Sequence, residues 1–524
     1  MERRRRMETG WRKVACDSDL VEGIPVLAKA DEEGIYLVRL GGVVRALGHE
    51  CPHHHDPLEK GALIGGEVVC PGHFARLDAR DGKLIAPPAL DDLPTYPVKI
   101  EAGDVWVGQI VKPRRPVPAE GDPRTFLLIG AGAAGNAAAE TLRREGFGGR
   151  ILLVTAEEDG PYDRPELSKG FIPGKTKPEW IPLRGPKFYA NQRIEVLTGR
   201  RVTGLDTRKK VALFASGEPL AFDRALLATG GTPRKLAIPG AEADCCFSLR
   251  SLADARAIAA AASQASRALI IGAGFIGMEL ASSLIERGIG VTVVAPDPLP
   301  FARIVGERVA SLLKNRHETA GVVFRLGRTP TRITGGRGAK KVVLSDGTSR
   351  DADFVVLGIG IQPAVEYLSG TDLVQSGGVP VDARLATSHP DIFAAGDIAI
   401  VSGADGEAER IEHWVVAERQ GRHAARSMLG AAVAYDECPF FWTMQAGISL
   451  KCVGTTRGFD EIAYRGDVEG GRFLAGYFRK GRLRAAVTAG RERECIAAER
   501  VIRVGAPVTP RQFADEGCDL RATL

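Results

Sequence analysis

The alternation of apolar and polar positions changes period several times along the 524 residues. Up to about residue 108 the apolar runs are short, "GIYLVRL", "VVRAL", "EVVC" and "VWVGQI", separated by Gly, Asp and Pro. This pattern predicts a small all-β unit over 1–108. "VKPRRPVPAEGDPR" then crowds four prolines among charges, the composition of an extended linker over 109–123. From Arg124 the period lengthens. "RTFLLIGAGAAGNAAAETLRREG" reads as strand, glycine-rich turn and amphipathic helix, followed by the strand "RILLVTA". "RALIIGAGFIGMELASSLIERG" with "IGVTVVA" repeats the unit. From about Tyr435 strand patterns return in "FLAGYF" and "RLRAAVTAG", and a helix starts near Glu492, predicting a small α+β unit over 435–524.

Two βαβ units imply two dinucleotide sites and an α/β core. Gly130, Gly132 and Gly135 form one G-x-G-x-x-G; Gly272, Gly274 and Gly277 form the other. The first glycine permits the turn, the second lets a pyrophosphate reach the backbone, and the third lets helix and strand pack closely. The helix N-terminus then offers free N–H groups to the phosphates. Glu157, 22 positions after Gly135, is placed to accept both ribose hydroxyls. In the second unit the strand ends at Ala295, and Asp297 is the nearest acid. With no arginine beside it in sequence to take a 2′-phosphate, NADH is preferred over NADPH.

Composition narrows the class. The chain is 44% hydrophobic and 26% charged, and its net charge of +5 is too small for its length to argue for nucleic acid. No apolar run is long enough to span a membrane. "MERRRR" has no apolar run after it, so it reads as a solvated basic end rather than a secretory signal. Nine irregularly spaced cysteines do not make a disulfide framework and point to a reducing, cytoplasmic setting. The neighbours Cys245 and Cys246 read as structural thiols.

"CPHHHDPL" raises a metal question. Cys51-x-x-His54 with Cys70-x-x-His73 is a zinc spacing. Cys51-x-His53 with Cys70-x-x-His73 is the spacing of a cluster in which two His replace two Cys on one iron.

Other motifs carry a resemblance. "PYDRPELSK" at Pro161–Lys169, "LLATGG" at Leu226–Gly231 and "DIFAAGD" at Asp391–Asp397 resemble the signature of ferredoxin reductases of the apoptosis-inducing-factor type. "HWVVAERQGRHAA" and "FFWTMQAGISLKCVG" resemble that family's later segments. The resemblance runs from about Arg124 to the end. It implies an FAD domain over 124–250 and 377–434, an inserted NAD(H) domain over 251–376 and a reductase-type C-terminal domain. It also implies Asp397 on the ribityl chain or a flavin phosphate, Arg164 in the flavin-side motif and Trp414 near the isoalloxazine. Lys169 would approach flavin N5 and pair with Glu279. Disulfide reductases of this fold carry two cysteines after the first flavin loop; between Cys70 and Cys245 this chain has none, so electrons must leave another way.

"CPHHHDPLEKGALIGGEVVCPGHFARLDARDGK" resembles the two loops of the Rieske family. The resemblance implies Cys51 and Cys70 on the inner iron of a 2Fe-2S cluster and His53 and His73 on the outer, more exposed one. His54 and His55 are then bystanders. Phe74 and Arg76 stand where that family usually has smaller residues, a departure that bears on packing over the cluster. No further Cys braces the loops, and the missing disulfide suggests a low-potential centre.

Together these readings give a multidomain chain: an all-β Rieske domain, a two-dinucleotide α/β flavoprotein and an α+β C-terminal domain. The expected activity passes electrons from NADH through FAD to the cluster and on to an external oxygenase, iron–sulfur or haem protein. Rival readings are an NADH oxidase using oxygen, and a redox-sensing binding protein with little turnover. His413 and His423 supply no two-His, one-carboxylate iron site, so an oxygenase is not expected. A homodimer is left open.

Overall fold

The computed structural model describes residues 10–30, 33–115, 120–335, 340–402 and 406–523. The basic N-terminal run and residues 116–119 of the linker lie outside these.

The N-terminal part is all antiparallel β. Strands Arg12–Cys16, Val98–Glu101 and Asp104–Val107 form one sheet, and Val26–Ala30, Glu33–Leu40, Val43–Gly48 and Thr95–Tyr96 form a second. A third sheet holds Ala62–Ile64, Glu67–Val69, Arg76–Asp78 and Leu84–Ala86. The loops bearing the cysteines have one design. Cys51 N–H donates to Asp56 and Cys70 N–H to Ala75, each five residues on. His55 and Phe74, each four residues past its cysteine, donate N–H back to that cysteine at 3.0 and 3.2 Å. Both take left-handed φ, 58° and 56°, the bend that turns each loop back on itself.

Each βαβ unit lies in a five-stranded parallel sheet. The first has the order Ile194–Leu197, Arg150–Val154, Thr125–Ile129, Arg224–Leu227, Ile392–Ala394. The second has Cys246–Ser248, Phe354–Leu357, Arg267–Ile271, Gly290–Ala295, Val323–Leu326. Continuous apolar strands are what a sheet covered on both faces requires. Helix α1, Ala133–Arg144, and α2, Phe275–Glu286, open at the glycine turns; α3 spans Ala302–Thr319. Helix α4, Trp414–Met428, packs on α1 so closely that a Cβ on Gly421 would lie 2.1 Å from the Ala134 carbonyl oxygen.

The C-terminal part is a five-stranded antiparallel sheet carrying helix α5, Glu492–Val504. The N-terminal unit is seated on it. Val69 and Phe74 enter the same apolar cluster as Val415, Phe440 and Val453, and the Phe74 ring stacks on Phe440 at 4.7 Å. Burying one such ring contributes about 1.5–3 kcal/mol. Arg76, buried, pairs with Glu67 and with Glu437 across the seam. Arg422 donates to the Leu84 carbonyl at 3.1 Å, and Arg184 pairs with Asp91 at 2.6 Å. Phe74 and Arg76, the two bulky departures noted in the loops, are thus the residues that fasten this unit to its neighbour. No described helix is long and apolar enough to cross a membrane.

Candidate functional site

A cleft of about 960 Å³ runs between the two parallel sheets and is walled by both glycine turns. At the first turn the three glycines answer three different demands. A Cβ on Gly130 would meet the Ala228 carbonyl oxygen at 2.1 Å, and one on Gly135 the Gly130 carbonyl oxygen at 1.8 Å. A Cβ on Gly132 would meet nothing within 4 Å, so that glycine faces open space. The second turn repeats this: Gly272 and Gly277 are blocked by backbone at 2.3 and 2.4 Å, while Gly274 is open. Tight turn, open face and close helix approach together make a cradle for a pyrophosphate.

Glu157 lines the cleft, held by Tyr162 Oη at 2.6 Å and Arg164 Nη2 at 2.9 Å. Tyr162 Oη also accepts the Leu252 N–H, so one carboxylate ties the first nucleotide turn to helix Leu252–Ala262. Asp397, next to Gly396 on the cleft wall, meets Arg250 at 3.1 Å. Trp414 and His413 also line it, and the His413 ring stacks on Phe441 at 4.1 Å. Burial drives the His413 pKa down to about 4.

Lys169 sits in a one-turn π-helix, Leu167–Phe171, a form that recurs at functional sites. Its Nζ lies 2.8 Å from Glu279 Oε2 on α2, and both side chains are under one-tenth exposed. Ser168 Oγ donates to the same oxygen at 2.6 Å and Thr443 Oγ1 to Oε1 at 2.7 Å. Three donors on one buried carboxylate offset the cost of removing the ion pair from water. Ser168 and Thr443 carry no signal in the sequence, since a serine or threonine is informative only once its neighbour is known.

Asp297 stands apart from the other chosen residues. It is half-exposed, does not wall the cleft, and pairs with Arg303 Nη2 at 3.2 Å. The expectation that no arginine accompanies it is therefore corrected. The turn after Asp297 brings the start of α3 back beside it, a closure that six residues of sequence do not reveal.

The four loop residues converge. Cys51 and Cys70 are buried free thiols, each the other's hydrogen-bond partner, and His53 Nδ1 lies 3.1 Å from His73 Nδ1. Burial lowers the pKa of both imidazoles, His73 to about 3, so the rings are neutral as ligation requires. Two thiols on one side and two facing ring nitrogens on the other fit the mixed-ligand 2Fe-2S donor set. The zinc alternative fits less well, because exposed His54 and not His53 would have to supply the nitrogen. His53 and His73 are half-buried where Cys51 and Cys70 are fully buried, so the histidines are the more exposed pair. The His73 ring rests on Trp442, centroids 4.5 Å apart, because the C-terminal sheet covers it. Trp442 also lines the cleft, and Lys169 Nζ lies 5.6 Å from its ring. Asp163, half-buried beside the same loops, brings a carboxylate oxygen within 4.8 Å of nitrogen atoms of His53 and His54. Neither Trp442 nor Asp163 was singled out from the sequence, because only the seating of one unit on another gives them a role.

Paired nucleotide cradles on one cleft, with a two-Cys, two-His loop pair against it, define a nicotinamide-dependent flavoprotein with an iron–sulfur domain. The family model for pyridine nucleotide-disulphide oxidoreductases matches residues 124–421, the one for reductase C-terminal domains 440–524, and the one for Rieske [2Fe-2S] domains 10–97. The chain belongs to the pyridine nucleotide-disulphide oxidoreductase family, and it is an NAD(P)H-dependent flavoprotein oxidoreductase whose cofactors are FAD, NADH and a 2Fe-2S cluster. It is 38% identical to human apoptosis-inducing factor 3, over 84% of this chain and 76% of that one. It is 34% identical to the ferredoxin–NAD(+) reductase component of the biphenyl dioxygenase system of Paraburkholderia xenovorans, over 76% of this chain and 98% of the relative. Among solved structures, the ferredoxin reductase for the CYP199A2 system of Rhodopseudomonas palustris superposes with a TM-score of 0.73 at 34% identity, covering 76% of this chain and 99% of its own.

Proposed function

We propose that this chain is a ferredoxin–NAD(+) reductase carrying its own ferredoxin: electrons taken from NADH at the cleft pass within one polypeptide to the Rieske centre and then to an external protein. When bound, FAD accepts hydride from nicotinamide and releases electrons one at a time, as an iron–sulfur centre requires. Lys169 presents an ammonium to the cleft, and Glu279, Ser168 and Thr443 hold it there. Asp397 and Glu157 orient the first nucleotide; Gly274 leaves room for the second. Cys51, Cys70, His53 and His73 hold the cluster.

One observation carries the reading: Trp442 packs against the His73 ring and also lines the cleft, so one side chain touches both the cluster loop and the nucleotide cleft. The biphenyl-system relative supports it differently. It is matched over nearly its whole length yet leaves about a quarter of this chain over, and the Rieske match covers 10–97. That relative is named for work in a dioxygenase system, so an oxygenase component or an iron–sulfur or haem protein is the class of acceptor expected here. The exposed side of the cluster loops, His54 and His55, is its approach.

Anaerobic titration of the reconstituted chain with NADH, followed by absorbance and EPR, tests the proposal. Bleaching of the flavin followed by the signal of a reduced mixed-ligand cluster is expected. A bleached flavin with a cluster that stays oxidised refutes transfer within the chain.

A further inference from the structure

The hydrogen bonds on Glu279 do not stop at Thr443. Thr443 Oγ1 accepts from Gln445 Nε2 at 3.0 Å, and Gln445 Oε1 lies 2.9 Å from His317 Nε2. Thr443, Gln445 and His317 are all 1% exposed or less, and His317, on α3, does not line the cleft. The polarity of this line follows from counting protons. A threonine hydroxyl has one hydrogen, and Thr443 gives it to Glu279, so it must accept from the Gln445 amide. The Gln445 carbonyl is left facing His317, which must then carry its hydrogen on Nε2. His317 Nδ1 is buried and has no partner, which agrees with a neutral ring bearing a single N–H. Every donor in the line therefore points toward Glu279.

The line also joins three parts of the molecule. Lys169 and Ser168 come from the π-turn, Glu279 and His317 from two helices of the second nucleotide domain, and Thr443 and Gln445 from strand Phe440–Gln445. Hydrogen bonds in series polarise one another, so the far end bears on the near one.

We infer that Thr443, Gln445 and His317 are positioning residues for the reaction: a one-way line of donors that fixes the Glu279 carboxylate and, through it, the Lys169 ammonium at the cleft. None of the three touches a reacting atom. The inference rests on the reading of Lys169 given above.

The test uses the FAD-loaded full chain with two pairs of substitutions. Thr443→Val removes the hydroxyl and Thr443→Ser keeps it; His317→Phe removes the distal donor and His317→Gln keeps an N–H at similar reach. Thr443→Ala replaces Thr443→Val should the latter not fold. Two readouts are taken: flavin reduction against NADH concentration in stopped flow, and the charge-transfer absorbance when NAD⁺ is added to reduced enzyme. Losing one hydrogen bond to a charged group lowers the limiting reduction rate about tenfold in Thr443→Val, with half-saturation changed by less than about twofold. Its charge-transfer band weakens. Thr443→Ser recovers most of both. His317→Phe moves the same two readouts in the same direction by about threefold, and His317→Gln recovers them. Normal rates and a normal band in Thr443→Val and His317→Phe overturn the inference, whatever their melting temperatures. Lys169→Met separates the two layers. If it changes neither readout, the reading of Lys169 fails; if it changes both while the Thr443 and His317 variants do not, only the line of donors fails.

Discussion

The His73 imidazole and the Trp442 indole lie with centroids 4.5 Å apart and planes at 65°. One comes from a cluster loop and the other from a strand of the C-terminal sheet, so the contact exists only while the two units are seated together. Trp442→Ala should slow reduction of the cluster more than reduction of the flavin, with Trp442→Phe in between. Anaerobic stopped flow at separate flavin and cluster wavelengths measures both phases. Equal slowing of the two would count against the indole as the link.

The seam has its own lock. Arg76 is buried with Glu67 and Glu437 as its partners. Removing one member of a buried pair costs about 3–5 kcal/mol. Arg76→Glu is therefore expected to loosen the N-terminal unit and delay cluster reduction, and Arg76→Glu with Glu437→Arg to restore part of it. Limited proteolysis around the linker would report the loosening, and failure of the double variant to recover would remove the pair from the account.

Glu279 and Lys169 should not respond alike. Glu279→Gln leaves an ammonium buried without its counter-charge, so a loss of about 3–5 kcal/mol in stability accompanies the kinetic defect. Lys169→Met leaves the Glu279 carboxylate without its counter-charge but still bonded by Ser168 and Thr443, so the limiting rate of flavin reduction should fall about a hundredfold with less loss of stability. Thermal unfolding beside single-turnover kinetics distinguishes the two patterns.

At the first glycine turn the two helix-side positions predict opposite outcomes. Gly135→Ala would set a Cβ 1.8 Å from a carbonyl oxygen, whereas Gly132→Ala adds a methyl in open space. The first should destabilise the fold by about 1–3 kcal/mol or more. The second should fold normally and lose FAD. Flavin content per chain, measured alongside melting temperature, checks this.

His413 gives a pH dependence. Its pKa in the folded chain is pushed down to about 4 from 6.5 by burial. Between those values the unfolded chain holds a proton that the folded one does not. Stability therefore rises with pH across that window, is fully present above 6.5 and is lost as pH falls toward 4. The slope from one such group is about 1.4 kcal/mol per pH unit at most. His413→Phe, which keeps a ring against Phe441, should flatten the profile of melting temperature by that share. An unchanged profile between pH 4.5 and 6 would falsify the assignment.

How much of this was legible in advance depended on the range of the interaction. Strand, turn and helix of both nucleotide units and the three roles within each glycine triplet are local. Period and spacing carry them, because a few neighbouring residues must satisfy the same backbone. The spacing of the cysteines and histidines, by contrast, left His53 and His54 both open, and only resemblance chose His53. The Lys169–Glu279 contact is not local, being 110 residues long, and came from resemblance rather than from spacing.

What only the tertiary structure decided lies at the seams. Phe74 and Arg76 looked out of place in their loops until the C-terminal sheet met them. Nothing in the cluster loops announced that Trp442 would pack on His73, and Asp297 looked free of arginine until a turn brought Arg303 to it. Thr443, Gln445 and His317 were invisible for the same reason. A hydrogen bond a few ångströms long depends on where separate elements come to rest, and residue order along a chain does not encode that separation locally.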